Sequence, residues 1–463
     1  MHHTLLARFL AAPRLKTAID HFLTSIQTQI IRNRKITMDH TIALESQKVD
    51  IDLTKSHGSW IVDAVTGEEF LDLHGGFGSN ALGFNHPTLN NPEFNQLLAR
   101  VAANKVAHAD YRTQEGNAAV REIYERFAKP AGFEQMYFTD GGSMAVAEAV
   151  WSSIYTKTVD NIHHNIDVKA DAVMSLRGAF HGRNGTGASL TNENPKISGH
   201  PQLPNFQKVP HPGETKGSLQ ETLKSIEQYC IDNPHKLAAF IVEDVIQCEV
   251  GDRHIPVEFY TELRALADKY GFFVIYDDVQ TGFYSAGTPL AYQSTGAPAP
   301  DIVVGSKKSG LGYVFAGERA LEVKGNAFVA AGIIDSTWFG NSADYIMMAA
   351  KLIIIEEENL AKNVKIQGET LLKGLKQLEE EFPEFKLKSR GKGVTLTLEF
   401  ESPKWCSDFI ETAYKNHLIV LGSRNPMVVR LRPNLAITDA EVEAALTKMR
   451  QTLQQMSLPK SKL

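Results

Sequence analysis

The chain has 463 residues, 43% hydrophobic and 22% charged, with a formal net charge of -6. That length suggests two or three domains. The acidic balance excludes a dedicated nucleic-acid binder, which needs a basic face.

The first 37 residues, beginning "MHHTLLARFLAAPRLKTAIDHFL", are basic and amphipathic, with Asp20 their only acid. Such a composition fits a transit peptide, but no cleavage pattern is evident. A helical surface extension, or residues upstream of a start at Met38, is expected instead. From residue 58, "GSWIVDAVTGEEFLDLHGG" alternates apolar and polar residues around a Thr-Gly turn and predicts a hairpin. "NALGFNHPTLNNPEFNQLLARVAA" runs from a loop into a helix. "MYFTDGGSMAVAEAVWSSIYTK" is strand, glycine turn and helix. The apolar runs in "AVMSLRGAF", "LAAFIVEDVI", "FFVIYDDVQ" and "DIVVGSKK" each read as a strand followed by a loop or helix. "VEFYTELRALADKYG" is an amphipathic helix with Gly271 as its C-cap. Apolar strands alternating with helices predict an α/β fold with a mostly parallel sheet covered on both faces.

After residue 341 the pattern changes to one long helix, "SADYIMMAAKLIIIEEENLAKNVKIQGETLLKGLKQLEEEF", whose "EEEN" acids read as solvated. Two antiparallel-looking strands follow, "GVTLTLEF" and "MVVRLRP", then a last helix opened by Thr438 and Asp439. The division expected is an extension over 1–37, an N-terminal segment of a small domain over 38–95, a large domain over 96–341 and a small α+β domain over 342–463. Cys230, Cys248 and Cys406 form no CxxC pair, so neither a zinc site nor a disulfide framework is expected, and a reducing cytoplasm suits them. His163-His164 and His2-His3 have no third ligand spaced for a metal. No apolar run reaches membrane-spanning length.

The chemistry gathers where strands end, as ligand sites in open α/β sheets do. "FTDGGSM" places Gly141, Gly142 and Ser143 at a helix N-terminus, where free N–H groups and the helix dipole favour a phosphate. "AFHGR" ends a second strand with an aromatic, a histidine and an arginine. "YDDVQTG" ends a third with two adjacent carboxylates, which cannot face the same way. A buried carboxylate needs a cation, so Asp277 is expected to meet one in a site and Asp278 to point into structure. "PDIVVGSKKSGLG" ends a fourth strand with two lysines among small residues. A phosphate cradle, a lysine to bond its aldehyde carbon and a carboxylate for a ring nitrogen together suit pyridoxal 5'-phosphate.

The order and spacing of these motifs resemble the class III (ω-amino acid) aminotransferases of fold type I, and among them the L-lysine 6-aminotransferases. The resemblance runs from "KSHGSWIVDAVTG" to "NLAITDAEVEAAL", nearly everything beyond residue 50. It implies that Asp277 of "DDVQTG" meets the ring nitrogen, that Val279 packs on one ring face and that Gln280 reaches the ring hydroxyl. Phe180 stacks on the other face. Lys307, six residues after Asp301, is the cofactor lysine rather than Lys308. Arg183 of "HGR" takes the substrate α-carboxylate. Thr337 of "DSTWFGN" reaches the phosphate of a neighbouring subunit, which implies a homodimer. Arg430 of "VVRLRPNL" binds 2-oxoglutarate, with Arg432 as the alternative, and Glu249 of "IQCEVG" pairs with that arginine as a gate. Asp244, Val245, Cys248, Asp278 and Phe339 depart from the family pattern. The activity expected is transfer of a terminal amine, foremost the ε-amine of L-lysine, to 2-oxoglutarate. Ornithine, a diamine or 4-aminobutyrate as donor, or an aminomutase or decarboxylase reaction, are the alternatives.

Overall fold

The structure is a computed structural model that describes residues 19–24, 49–108, 110–191 and 199–457. Most of the N-terminal extension, including Met38, lies outside the described residues, as does the segment 192–198. The described residues fall into two compact units, one of residues up to Ser56 with Ile61–Phe70, the other of His57–Trp60 with the chain from Leu71. In the first unit the expected Thr-Gly turn closes as the Asp63 N–H donates to Glu68 O at 2.9 Å and Gly67 N–H to Asp63 O at 2.7 Å.

The second unit is built on a seven-stranded sheet. Its strands are β1 (Gln135–Thr139), β2 (Ala172–Leu176), β3 (Phe206–Val209), β4 (Leu237–Glu243), β5 (Phe273–Asp277), β6 (Ile302–Gly305) and β7 (Gly312–Ala316). Their spatial order is β1-β7-β6-β5-β4-β2-β3, and only β7 runs antiparallel to its neighbours. The sheet is an α/β sheet of the mostly parallel type that the sequence predicts. β3 and β7 are the additions. The "GLGYVFAG" stretch loosely resembles a nucleotide-binding glycine loop, yet it folds as β7.

Helices that precede residue 342 include α1 (Pro92–Ala103), α2 (Gln114–Ile123), α3 (Gly142–His163), α4 (Gly185–Leu190), α5 (Ser218–Asp232) and α6 (Val257–Tyr270). Helix α6 ends at Gly271, whose φ of +76° is open to glycine at no steric cost. Strand alternation sorts the core into two layers. Ile241, Ile275 and Val304 pack with Ala145, Val146 and Val150 of α3. Phe240, Val242, Val274, Tyr276 and Val303 belong to the larger core cluster. Each fully buried Val, Ile or Phe among these contributes about 1.5–3 kcal/mol of hydrophobic stabilisation.

The long helix expected after residue 341 is two helices, α7 (Ser342–Glu357) and α8 (Leu360–Glu381). The break lies at Asn359, whose left-handed φ of +52° ends the helical path. Helices α9 (Pro403–Lys415) and α10 (Asp439–Ser457) follow. A capping box opens α10: Thr438 Oγ1 accepts from Glu441 N–H at 3.3 Å, and Glu441 Oε2 accepts from Thr438 N–H at 2.8 Å. These helices accompany a four-stranded antiparallel sheet of β8 (Lys388–Lys392), β9 (Thr395–Glu399), β10 (Leu421–Gly422) and β11 (Val428–Leu431), in the order β8-β9-β11-β10. Among the described residues no helix is long and apolar enough to cross a membrane.

Candidate active site

Alternation along β5 decides the two aspartates. Phe273 and Ile275 face α3, so Asp277 does too, while Asp278 falls on the opposite face. Asp277 Oδ2 accepts from His181 Nδ1 at 2.7 Å, and Oδ1 accepts from the Val279 N–H at 3.1 Å. The His181 ring is wholly buried and its Nε2 has no partner. An aspartate acceptor on Nδ1 fixes that nitrogen as the protonated one. Asp278 instead accepts from Thr281 Oγ1 at 2.9 Å and from Ala291 N–H at 3.2 Å. Burial, reinforced by Asp244, raises the Asp278 pKa well above the usual carboxylate range. Burial likewise pushes Asp244 up to about 8. Behind them Glu243 ties two loops together, accepting from the Phe180 N–H and the Cys248 N–H at 3.1 Å each.

Gly142 begins α3 directly beside the β5 loop. A Cβ there would lie 2.7 Å from Val279 Cγ1 and 3.3 Å from Ser306 Cβ, so only glycine lets these segments meet. As in any helix, the first N–H groups of α3, at Gly142 and Ser143, have no intrahelical acceptor. Ser143 Oγ accepts from Asn184 N–H at 3.4 Å, which brings the loop after β2 to the same helix end.

The adjacent lysines go separate ways. Lys307 adopts a left-handed φ of +53°, an uncommon and costly conformation for a residue with a Cβ. Its Nζ lies 5.9 Å from the centre of the Phe77 ring. Burial lowers its pKa; Cys248 and Glu249 oppose the fall while Arg430 and Arg432 add to it. Lys308 is a strut. Its Nζ donates to Gly78 O and Pro433 O, both at 3.2 Å, and burial pushes it down to about 7.

The small sheet contributes the arginines. Arg430, on β11, donates from Nη1 to Glu249 Oε1 at 3.2 Å, and from Nε and Nη2 to Gly422 O at 3.2 and 3.0 Å. Arg432, just beyond β11, is fully buried and saturated. It donates to both Asp252 oxygens at 2.7 Å, to Leu396 O and Leu431 O at 3.0 Å, and to Gln280 Oε1 at 3.2 and 3.3 Å. A guanidinium can only donate, so the Gln280 carbonyl faces Arg432 and its NH2 group is directed elsewhere. The structure thus places Arg430 beside Glu249 and puts Arg432 in a buried ion pair. Arg424 also reaches Glu249, Nε to Oε2 at 3.4 Å. The guanidinium carbons of Arg424 and Arg183 stand 5.1 and 5.9 Å from the centre of the Phe180 ring.

Thr337 is exposed, with exposed Trp338 beside it. Phe339 packs edge-on against Tyr137 with ring centres 4.1 Å apart. Val245 has a φ of +66° and its N–H donates to Tyr260 Oη at 2.8 Å. A proline, usual there in the resembled family, could adopt neither feature. The sequence did not reveal His181, Glu243, Asp252, Phe77 or Arg424 as parts of this assembly. Among the described residues no cluster of three or more His, Cys, Asp or Glu side chains could hold a metal ion.

A lysine, an aspartate backed by histidine, and a glycine turn at a helix end suit the aldehyde, ring nitrogen and phosphate of pyridoxal phosphate. On this sheet they define a fold type I pyridoxal-phosphate enzyme. The aminotransferase class-III family model matches residues 41–453, and the chain belongs to that family. It is 33% identical over 448 residues to the L-lysine-epsilon aminotransferase of Mycobacterium tuberculosis (strain ATCC 25618 / H37Rv), covering 92% of this chain and 98% of that protein. The L-lysine-epsilon aminotransferase of Amycolatopsis lactamdurans is 30% identical over 418 residues, 87% of this chain and 91% of that one. The solved lysine aminotransferase from M. tuberculosis superposes with a TM-score of 0.85 at 32% identity, covering 90% of this chain and 97% of that chain. Ornithine aminotransferase from Toxoplasma gondii, at 21% identity and a TM-score of 0.76, shares the fold over 93% of this chain and 95% of that chain.

Proposed function

We propose that this aminotransferase moves the ε-amine of L-lysine to 2-oxoglutarate, giving glutamate and a semialdehyde that cyclises. The observation that carries the reading is the Glu249–Arg430 pair, closed at 3.2 Å in a nearly buried setting. An arginine left open near the reacting lysine would attract an α-carboxylate and favour transfer from the α-amine. Glutamate neutralises it, so a donor with an uncharged chain beside its reacting amine is accepted. The names of the relatives support lysine as that donor.

Pyridoxal phosphate, when bound, supplies an electron-withdrawing ring that makes the carbon bearing the amine acidic. Asp277 would hold the proton on the ring nitrogen, and His181 keeps the Asp277 carboxylate aimed. Gly142 and Ser143 would hold the phosphate through their N–H groups. Phe180 and Val279 would confine the ring, and the Gln280 NH2 would reach its hydroxyl. Lys307 Nζ takes the proton from the carbon bearing the amine and later returns one, a task its lowered pKa suits. Arg183 would receive the distal α-carboxylate of lysine. When 2-oxoglutarate binds, Arg430 would take the carboxylate beside its keto carbon.

The same reading makes the enzyme a homodimer in which Thr337 would complete the neighbour's phosphate site, in keeping with its exposure in the single chain. It also keeps residues 38–95 and 342–463 as one small domain, 96–341 as the large domain and 1–37 as an extension, in a cytoplasmic enzyme. A donor screen with 2-oxoglutarate tests it. Lysine should give the fastest glutamate formation. Faster reaction of ornithine, a diamine or 4-aminobutyrate would overturn the choice of donor.

A further inference from the structure

We infer that Arg424 is the receiving partner of the Glu249 gate: the carboxylate that closes Arg430 passes to Arg424 when a 2-oxo dicarboxylate arrives. This rests on the proposed function and adds the residue that makes its second half possible.

The donor inventory argues for it. Arg430 is anchored by two donations to Gly422 O, so it stays in place whatever Glu249 does. Only its Nη1 engages Glu249. A substrate carboxylate that takes Nη1 must evict Glu249. The evicted carboxylate is largely buried, at 15% side-chain exposure, and cannot be left without a cation. Arg424 is already within reach of its other oxygen, at 3.4 Å, without a formed hydrogen bond. Its Nη2 is buried and has no partner. A short rotation of Glu249 would give Arg424 a two-pronged bond, the geometry that a guanidinium and a carboxylate form best.

The surroundings fit the same exchange. The Arg424 guanidinium is held over the Phe180 ring, an attraction that fixes its plane without using its N–H donors. Burial lowers the Arg424 pKa; Glu249 counters this, and Arg183 and Arg430 add to the fall. A second negative charge entering this cluster of arginines is therefore balanced once Glu249 has moved from Arg430 to Arg424. The Ser423 hydroxyl donates to Glu249 O at 3.1 Å, tying the Arg424 loop to the gate's own backbone. The switch so described is a shift between two arginines, with the Glu249 charge paired throughout.

The test is calorimetric binding of glutarate, an unreactive dicarboxylate, to the holoenzyme and to Arg424→Gln, Glu249→Gln and the double variant. Arg424→Gln should weaken glutarate by roughly tenfold, because the evicted carboxylate then lacks its partner. In the Glu249→Gln background, with no charge to rehouse, the same substitution should change the affinity by less than about twofold. Arg424→Lys, which keeps the charge but not the fork, should fall between and guards against a folding defect in Arg424→Gln. An equal loss in both backgrounds would show direct contact with the ligand and overturn the role given to Arg424. No loss in either would overturn it as well. Failure of the unmodified holoenzyme to bind glutarate, with lysine still bound, would instead overturn 2-oxoglutarate as acceptor and the inference with it.

Discussion

His181→Leu is the most informative single change. The substitution removes the Nδ1 donor 2.7 Å from Asp277 Oδ2. It keeps an apolar body in a pocket where the His181 side chain is wholly buried and the Asp277 side chain is 4% exposed. A hydrogen bond to a buried charged group is worth about 1.5–3 kcal/mol. Tenfold corresponds to about 1.4 kcal/mol, so the expected loss is roughly ten- to hundredfold. It should appear in cofactor affinity, measured by dialysis and back-titration of the cofactor absorbance, and in kcat. His181→Gln, whose amide can still donate, should recover part of the loss. A folded His181→Leu protein with both quantities within about twofold of the original would refute the claim that His181 positions Asp277 for the ring nitrogen.

The paired lysines give a second prediction: Lys307→Ala should abolish borohydride-trapped cofactor, read by mass spectrometry, while Lys308→Met should keep it. Lys308→Met should also lower Tm, because Gly78 O and Pro433 O lose their donor at about 1–3 kcal/mol each. A neutral amine is the form that bonds the cofactor, and burial lowers the Lys307 pKa. Cofactor uptake by apoprotein should therefore plateau below the pH of about 10.4 that an ordinary lysine requires; a midpoint at or above that value would contradict the lowered pKa. Arg432→Lys keeps a charge against Asp252 but surrenders the fork to Gln280. The pH midpoint of the cofactor absorbance should then move as it does in Gln280→Leu, whereas an unchanged spectrum would show that something else orients Gln280. Thr337→Ala should weaken cofactor retention in a protein that sediments as a dimer or larger, and a monomer with full cofactor would contradict the shared site.

The parts of the fold and site that depend on local rules were legible. Period-two alternation separated Asp277 from Asp278, and the apolar runs marked β2, β4, β5 and β6. The helix start at Thr438 and the C-cap at Gly271 follow from short-range chemistry in the same way. The parts that were not legible depend on distance along the chain or on a single backbone angle. His181 stands 96 residues before its partner Asp277, and "AFHGR" alone does not say what the histidine meets. Asp252 and Arg432 are 180 residues apart. Arg424 sits in a polar loop with no periodicity to mark it. Asn359 splits a helix whose apolar spacing continues across the break, so the pattern hides the left-handed residue. Strand β7 was obscured by the glycines that precede it, although "GYVFA" has the aromatic and β-branched residues of a strand.

Position-specific nitrogen labelling tests the central claim most directly. L-Lysine carrying heavy nitrogen at the ε position, or at the α position, is incubated with the holoenzyme and 2-oxoglutarate, and the glutamate formed is analysed by mass spectrometry. The ε-labelled substrate should yield labelled glutamate and the α-labelled substrate should not. Label reaching glutamate from the α position would mean that Glu249 does not close Arg430 to an α-carboxylate, and the account of the site would fail.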